Sequence, residues 1–267
     1  MEGINKFLAY LGRPIVHFLV HLNRLAALVN GTLRWTFIEP FRGKPLRYRA
    51  IVEQSVRFGW DSVLIVGVIS FSIGLILAMQ AADQLKPFGA EIYVANLVSV
   101  SLTRELGPMM TAIIIAGRGG SAIAAELGTM KVAEELDALK TMGLNPLGFL
   151  VVPRFMAMIL MLPALALISD IIGILGAYLF SISVLEISPV RFINQVANAL
   201  VLKDLITGLV KTLVFAGIIA SIGCYQGFIV KGGAEGVGKS TTNSVVISIF
   251  LIIAADVVFT ALFYSAF

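Results

Sequence analysis

Two adjacent charged residues, Arg104 and Glu105, stand inside a stretch of the chain that is otherwise hydrophobic enough to span a membrane. Gly107 and Pro108 follow them and favour a kink in the surrounding helix. A charged side chain near the bilayer centre costs about 2.5 to 3.5 kcal/mol on insertion scales, and such residues usually face a partner helix or a water-filled cavity. We therefore expect a polar ligand near Glu105, with an ion pair that only pins the kink as the alternative.

A second motif has the spacing of a nucleotide-binding loop. Residues 233–240 read Gly-Ala-Glu-Gly-Val-Gly-Lys-Ser and satisfy the Walker A pattern, in which backbone amides hold the phosphates. Such a loop must follow a buried strand of an α/β domain, whereas this one joins two apolar stretches. We interpret it as a glycine-rich turn, with residues 240–243 capping the last helix.

The composition is that of an integral membrane protein. Of the 267 residues, 58% are hydrophobic and 13% are charged, whereas a soluble domain carries about 25% charged residues. This leaves no room for a separate catalytic domain, so an energy source must come from another chain. The single cysteine, Cys224, cannot form an intrachain disulfide and is expected to be a small buried residue.

Five apolar stretches predict five transmembrane helices. Their expected limits are residues 62–82, 93–123, 155–185, 205–230 and 244–267. The third contains Asp170, the fourth Lys211 and the fifth Asp256. Fifteen Lys and Arg residues lie on the side of the N-terminus and three on the other side. The positive-inside rule therefore predicts a cytoplasmic N-terminus and a C-terminus outside.

Two shorter helical elements are expected on the cytoplasmic side. Residues 1–50 predict an amphipathic segment lying in the membrane interface, divided at Pro14 because proline cannot donate to the preceding turn. Residues 51–267 form the transmembrane domain, with a short amphipathic helix at about 131–143 between the second and third spans. This short helix is either a solvated surface helix or an element that docks a partner. Its expected docking residues are Glu134, Glu135, Leu136, Asp137, Leu139 and Gly143.

A stripe of small residues lies at the end of the second span. Its members, spaced four apart, are Ala116, Gly120, Ala124 and Gly128. Small residues let another helix approach closely, and the pattern fits packing within the chain or a seam between two copies equally well.

These residues belong to longer motifs that resemble the MlaE/YrbE family, the permease subunits of MCE-type ABC lipid transporters. The first motif includes RELGP at 104–108, AGRGGSA at 116–122, ELDAL at 135–139 and VPR at 152–154. The second is GGAEGVG at 232–238 with two threonines after it, which further weakens the nucleotide-binding interpretation. The resemblance covers roughly residues 47–267.

The resemblance implies a permease of the bacterial inner membrane that moves phospholipid between the inner and outer membranes. It implies a second copy of the chain, a cytoplasmic ABC ATPase dimer that uses ATP and Mg, and an outer ring of MCE-domain proteins. No cofactor, metal or nucleic acid is expected for this chain itself, and neither the lipid class nor the direction is implied.

The resemblance also assigns roles to particular residues. Arg104 and Glu105 match the charged pair that the family places beside its lipid pocket, and residues 134–143 match its coupling helix. Further pocket residues are expected at the outer end of the first span, namely Leu77, Gln80, Leu85 and Phe88.

Two functions of other classes remain open. One is a secondary transporter that is driven by protons through Asp170 or Asp256, and the other is a passive scaffold for an outer complex. The scaffold is disfavoured by the charges within the spans. An enzyme is disfavoured because we find no pair of nucleophile and base in the spans.

Overall fold

The computed structural model describes residues 2–42 and 46–266, and the regular structure of these residues is entirely helical. The α-helices are α1 (Glu2–Phe37), α2 (Tyr48–Phe58), α3 (Val63–Leu85), α4 (Val94–Ser101), α5 (Gly107–Ile115), α6 (Ser121–Val132), α7 (Glu135–Thr141), α8 (Val152–Ser183), α9 (Pro189–Ala199), α10 (Leu202–Phe228) and α11 (Gly233–Ala266). The prediction of an all-α integral membrane protein is confirmed.

Within the described residues, five helical segments are long and apolar enough to cross a membrane. In chain order, spans one to five are Tyr48–Phe88, Glu91–Val132, Leu147–Ser183, Leu202–Phe228 and Gly233–Phe263. Their number agrees with the sequence prediction, but each helical segment begins earlier or ends later than its apolar run. The helices continue because flanking polar residues can still form helical hydrogen bonds where the apolar pattern has stopped.

The main apolar core surrounds α10. Phe215 and Ile219 of this helix are fully buried against residues of α5, α6 and α8 such as Ile115 and Met158. A second, smaller core lies between α3, α4, α8 and α9, where Phe192 is buried and its ring meets Tyr178 edge to face. The helix α9, which contributes Phe192, was not predicted from the sequence.

The small-residue stripe packs within the chain. Ala116, Gly120, Ala124 and Gly128 are all buried. A Cβ atom at Gly223 of α10 would lie 3.1 Å from the Gly120 carbonyl oxygen, and one at Gly227 would lie 2.5 Å from Leu127 Cβ. The stripe therefore seats α6 against α10, which decides the question that the sequence pattern left open.

The N-terminal segment differs from its prediction at Pro14. Instead of two helical pieces, α1 is one continuous helix over Glu2–Phe37. A proline removes only one backbone donor, and a long helix can retain its course around that gap. The second half of α1 packs on the chain, with Leu28 and Thr32 buried and Gly31 against Leu147. A position in the membrane interface stays a prediction.

The glycine-rich segment before span five is also more helical than predicted. The connection after α10 is limited to residues 229–232, Gly232 and Gly233 both have positive φ, and α11 already begins at Gly233 rather than near residue 240. Ser240 does not cap the helix but is buried and donates a hydrogen bond to the Gln226 carbonyl oxygen. The Walker-like residues thus lie in the first turns of a helix and form no phosphate-binding loop.

Candidate functional site

A π-helical turn carries Arg104 and Glu105. It spans Leu102–Leu106 between α4 and α5, and the Gly107 amide donates to the Leu102 carbonyl oxygen, five residues back. Pro108 has no amide to donate to the residue four positions before it, so a regular α-helix would lack a bond here in any case. π-turns inside helices are frequent at functional sites. The turn buries Leu102 and Thr103 and leaves the two charged side chains on the surface of the span.

The first turns of α10 pack directly on this π-turn. A Cβ atom at Gly208 would lie only 2.4 Å from the Thr103 carbonyl oxygen, so the close approach requires glycine at this position. In the preceding turn, the Asp204 carboxylate accepts a bond of 3.2 Å from the Val201 amide. An acid in the first helical turn also interacts favourably with the helix dipole. Asp204 is therefore fixed in place beside the π-turn.

Arg104 forms an ion pair with Asp204. The guanidinium Nε donates to Asp204 Oδ1. The two partners differ in environment, because the Asp204 side chain is 1% exposed and that of Arg104 is 46% exposed. This one bond uses one of the five N–H groups of an arginine. The buried carboxylate thus balances the charge while the guanidinium remains accessible.

Glu105 belongs to a second charged cluster that joins spans two, four and five. The Lys211 ammonium, which is 1% exposed, donates to Glu105 and lies 3.0 Å from Asp256 Oδ1. Thr260 bridges the pair, since it accepts a bond of 2.8 Å from Lys211 and donates one of 3.1 Å to Glu105. A buried ammonium requires such counter-charges. Glu105 itself remains 36% exposed.

The two ion pairs border one cavity of about 540 Å3. Its lining residues are Arg104, Glu105, Lys203, Thr207, Lys211, Thr260 and Phe263. The cavity lies beside the first turns of α10 and the end of span five. Its wall presents the accessible cation and anion of the neighbouring residues Arg104 and Glu105, a further cation from Lys203 and the aromatic ring of Phe263. Such a wall can bind a polar headgroup and contact the start of an apolar chain.

The other expected pocket residues lie elsewhere in the chain. Leu77 and Leu85 pack against the second core, and Gln80 and Phe88 are exposed at the end of span one. None of the four belongs to the residues that line this cavity. Their contact with lipid stays a prediction.

Sequence reasoning identified the charges at 104, 105, 211 and 256 but not how they pair. Asp204 was missed altogether, because it lies 100 residues from Arg104 in the chain and at the edge of its span. The sequence offered one sign of Asp204, namely that an acidic residue stands in the first turn of a helix, but this position usually indicates only an interaction with the helix terminus. Pairing across that distance depends on tertiary packing.

The predicted coupling helix is α7, which ends before Gly143 as expected but begins at Glu135 rather than at about residue 131, because Lys131 and Val132 still belong to α6. The Leu144 amide donates to the Leu139 carbonyl oxygen, and Gly143 has a φ of 75°, which together form a Schellman motif. Glu134, at the start, is exposed and left-handed with a φ of 60°. Glu135 and Asp137 are exposed as well.

Contrary to the sequence prediction, the apolar face of α7 is not available to dock a partner. Leu136 is buried in the main core of the chain itself and Leu139 packs against that core. The structure therefore corrects the expectation that Leu136 docks a partner, because a short amphipathic helix first buries its apolar stripe against its own chain. Asp137 is engaged by Lys140 at 2.8 Å and Lys131 at 3.0 Å, and these hydrogen bonds hold its pKa below the ordinary value.

Among the residues that the structure describes, no group of three or more His, Cys, Asp and Glu residues could hold a metal ion. The charged cluster is instead arranged as ion pairs, whose donors and acceptors suit an organic zwitterion or an anion better than a metal.

Comparison with known proteins places the charged cluster inside a matched region. A family model described as Permease MlaE matches residues 51–262. A probable ABC transporter permease protein of Rickettsia typhi is 42% identical over 221 residues, which are 83% of this chain and 85% of the relative. Chloroplastic TRIGALACTOSYLDIACYLGLYCEROL 1 of Arabidopsis thaliana is 35% identical over 224 residues, 84% of this chain and 64% of the relative.

A further relative matches over nearly the full chain. It is the intermembrane phospholipid transport system permease protein MlaE of Haemophilus influenzae, which is 32% identical over 267 residues. The alignment covers 98% of this chain and 99% of the relative. It therefore includes the N-terminal helix as well as the five spans.

Proposed function

This chain belongs to the MlaE permease family, and we propose that it is the membrane subunit of an ABC transporter that moves phospholipid between two membranes. It is a multi-pass protein of the inner membrane. The phospholipid in the printed name of the Haemophilus influenzae relative supports the substrate class. The observation that carries the proposal is the cavity with Arg104 and Glu105 at its wall.

The cavity acts as the place where a lipid headgroup leaves the bilayer surface. Arg104 donates to the phosphate, because guanidinium groups bind phosphate through paired N–H donors. Phe263 and the apolar surface beside the cavity contact the first part of the acyl chains. The buried partners Asp204 and Lys211 hold both wall residues in place, so binding does not require them to be ordered first.

Energy comes from a partner ATPase with its own ATP and Mg. The ATPase docks against the acidic side of α7, where Glu134 and Glu135 are exposed. Movement of α7 reaches the spans because Leu136 and Leu139 pack in the main core. On the outer side, lipid passes to or from MCE-domain proteins.

Two copies of the chain form the membrane unit. Span five is the least buried of the five within one chain. Its exposed apolar side chains include Val246, Phe250 and Val257. A second copy would cover an apolar surface of this kind, and the odd number of spans likewise leaves any pseudo-symmetry about the pathway to a second copy.

The variant Arg104→Gln tests the cavity. We expect about a tenfold lower amount of bound phospholipid per folded molecule, because a charge-assisted hydrogen bond to the phosphate is lost. The measurement is lipid mass spectrometry on the full-length protein after purification in mild detergent. Thermal unfolding of the same samples reports on the fold.

Asp204→Asn is the matched control. It alters the same ion pair but keeps the arginine at the cavity, and the asparagine oxygen can still accept from Nε. We expect its lipid loading to remain close to that of the wild type. Equal stability loss in both variants with unchanged loading in both would show that the pair is only structural and would refute the cavity.

A proton-driven secondary transporter is the second candidate, and Asp170 favours it. This carboxyl is buried in α8, its Oδ1 has no hydrogen-bond partner, and Gly107 lies directly against it. Ionisable residues of this kind form proton relays in some membrane transporters. Lipid transfer by reconstituted protein that needs a proton gradient but no ATPase would favour this candidate. A strict requirement for ATP and an ATPase partner would eliminate it.

A further inference from the structure

We propose that the cavity selects a zwitterionic headgroup, with the phosphate on Arg104 and an ammonium group on Glu105. This inference rests on the proposed function and names the substrate class at the same site. Phosphoethanolamine is the headgroup that fits, because it carries one phosphate and one ammonium with N–H donors. Phosphoglycerol has the same phosphate but an uncharged diol in place of the amine.

The wall carries cations from Arg104 and Lys203, and Glu105 is the acidic residue among those that line it. Arg104 and Glu105 are neighbours in the π-turn, and their side chains are 46% and 36% exposed. Each has a counter-ion that is 1% exposed, Asp204 for the arginine and Lys211 for the glutamate. Asp204 lies behind the wall, and Lys211 lines the cavity but is almost fully buried, so Arg104 and Glu105 are the more accessible partner of each pair. A zwitterionic headgroup meets these cations through its phosphate and Glu105 through its ammonium, whereas an anionic headgroup meets only the cations.

Asp256 makes Glu105 available to a ligand. Lys211 lies 3.0 Å from Asp256 in addition to its bond with Glu105, so the buried ammonium has two carboxylates within reach. When a headgroup ammonium binds Glu105, Asp256 continues to balance Lys211. Without Asp256 the same exchange would weaken the only anionic contact of a buried cation, which is strongly unfavourable.

Thr260 supports this exchange of partners. Its hydroxyl accepts from Lys211 at 2.8 Å and donates to Glu105 at 3.1 Å. It therefore holds the carboxylate on the cavity side while Lys211 is shared between the two acids. The side chain keeps a hydrogen-bond acceptor beside the lysine even when Glu105 turns to a ligand.

The test is a competition between two lipids with identical acyl chains. Detergent-purified full-length protein is stripped of lipid and incubated with mixed micelles that contain equal amounts of phosphatidylethanolamine and phosphatidylglycerol. The bound ratio is read by mass spectrometry. We expect about a fivefold enrichment of phosphatidylethanolamine on the wild type, which is about 1 kcal/mol.

Two variants should lose the enrichment while phospholipid remains bound. In Asp256→Asn, Lys211 has Glu105 as its only carboxylate, and in Glu105→Gln the acceptor of the ammonium has lost its charge. We expect a bound ratio near one in both. The matched control is Asp83→Asn, the same chemical change as Asp256→Asn at an exposed position outside the cavity, and it should keep the wild-type ratio.

The outcomes separate this inference from the proposed function. Bound phospholipid with a ratio near one on the wild type would overturn the selection of zwitterions and leave the cavity intact. An unchanged enrichment in folded Glu105→Gln would overturn it as well, even if Asp256→Asn failed to fold. A wild-type protein that retains neither lipid would contradict the lipid-binding cavity itself.

Discussion

At the scale of single residues, the charges inside the spans depend on one another. Lys211 is buried and lies between Glu105 and Asp256. Removal of one partner of a buried ion pair destabilises a protein by about 3 to 5 kcal/mol, because it leaves an unbalanced charge in an apolar surrounding. The cluster therefore links stability and the proposed lipid binding through the same side chains.

The variant Lys211→Met tests this dependence. We expect it to lower the free energy of unfolding by about 3 kcal/mol or more, because Asp256 and Glu105 lose their cation. The measurement is thermal or denaturant unfolding of the detergent-solubilised protein. Lys86→Met, at an exposed position, is the control.

A double variant tests whether the loss of stability in Lys211→Met comes from the unbalanced charge of Asp256. Adding Asp256→Asn to Lys211→Met removes the more buried of the two carboxylates, and we expect part of the lost stability to return. If the double variant is less stable than Lys211→Met by the full effect of Asp256→Asn alone, the two residues are not coupled. The ion pair would then have no energetic role.

Hydropathy could predict that charges within the spans need partners, but not which partners they have. The sequence left the partners of Arg104 and Glu105 open, and each residue is paired with a different residue of α10. The sequence cannot reveal this, because the pairing depends on how far α10 is shifted along span two. That shift is set by close backbone packing at Gly208.

At the scale of elements, the contact between α10 and the π-turn positions the site. Gly208 has no room for a side chain, since a Cβ would lie 2.4 Å from Thr103 O. Gly217 of the same helix is different, because a Cβ there would meet Phe155 at 3.8 Å, an ordinary contact. The two glycines form a matched pair for testing how α10 holds the cavity.

We expect Gly208→Ala to destabilise the protein by about 1 to 3 kcal/mol, because the helix must move away from the π-turn. Gly217→Ala should be neutral or slightly stabilising, since alanine is the better helix former by up to about 1 kcal/mol. Unfolding measurements on both variants check this. Equal effects at the two positions would mean that the close approach at Gly208 does not limit packing.

The proposed docking of an ATPase on α7 allows a second test at this scale. We expect the double change Glu134→Lys and Glu135→Lys to reduce the amount of co-purified ATPase about tenfold, because the exposed acidic surface of α7 reverses its charge. The fold should persist, since Leu136 and Leu139 still anchor the helix. Asp83→Lys, near the opposite face of the membrane, is the control and should leave the amount of co-purified ATPase unchanged. If the double variant retained its ATPase, the proposed docking role of α7 would be wrong.

The long apolar elements were predictable and the local departures from them were not. Five spans follow from runs of apolar residues that are long enough to cross a bilayer, and Gly143 ends α7 as its sequence indicated. The π-turn at Leu102–Leu106 left no such signal, because Pro108 is equally compatible with a kink. The continuity of α1 through Pro14 was likewise not predictable, because an interior proline divides some helices and is accommodated in others.

At the scale of the whole molecule, orientation in the membrane decides what each end can meet. The excess of Lys and Arg on the side of α7 predicts that this side faces the cytoplasm, where the ATP is. The start of α10 and the end of span five, with the cavity between them, then lie toward the outer surface. The helix α7 and the cavity would accordingly lie near opposite faces of the membrane.

Cysteine labelling checks this orientation. Cys224 is fully buried and should not react with a membrane-impermeant maleimide. We expect Phe88→Cys, at a position that is 81% exposed, to be labelled in intact spheroplasts, and Met142→Cys, at one that is 73% exposed, only after lysis. The reverse pattern would show that α7 faces outward and would exclude its docking to a cytoplasmic ATPase.

Span two contains two π-turns, at Leu102–Leu106 and Ala116–Gly120, which separate α4, α5 and α6. Each π-turn holds an extra residue, so the helix beyond it is rotated by about 100° relative to an uninterrupted α-helix. A helical wheel drawn through the whole span therefore assigns residues to the wrong sides after each turn. One insertion or deletion inside a π-turn would rotate every side chain beyond it about the helix axis. A change in one π-turn could therefore alter the orientation of the cavity residues relative to the small-residue stripe.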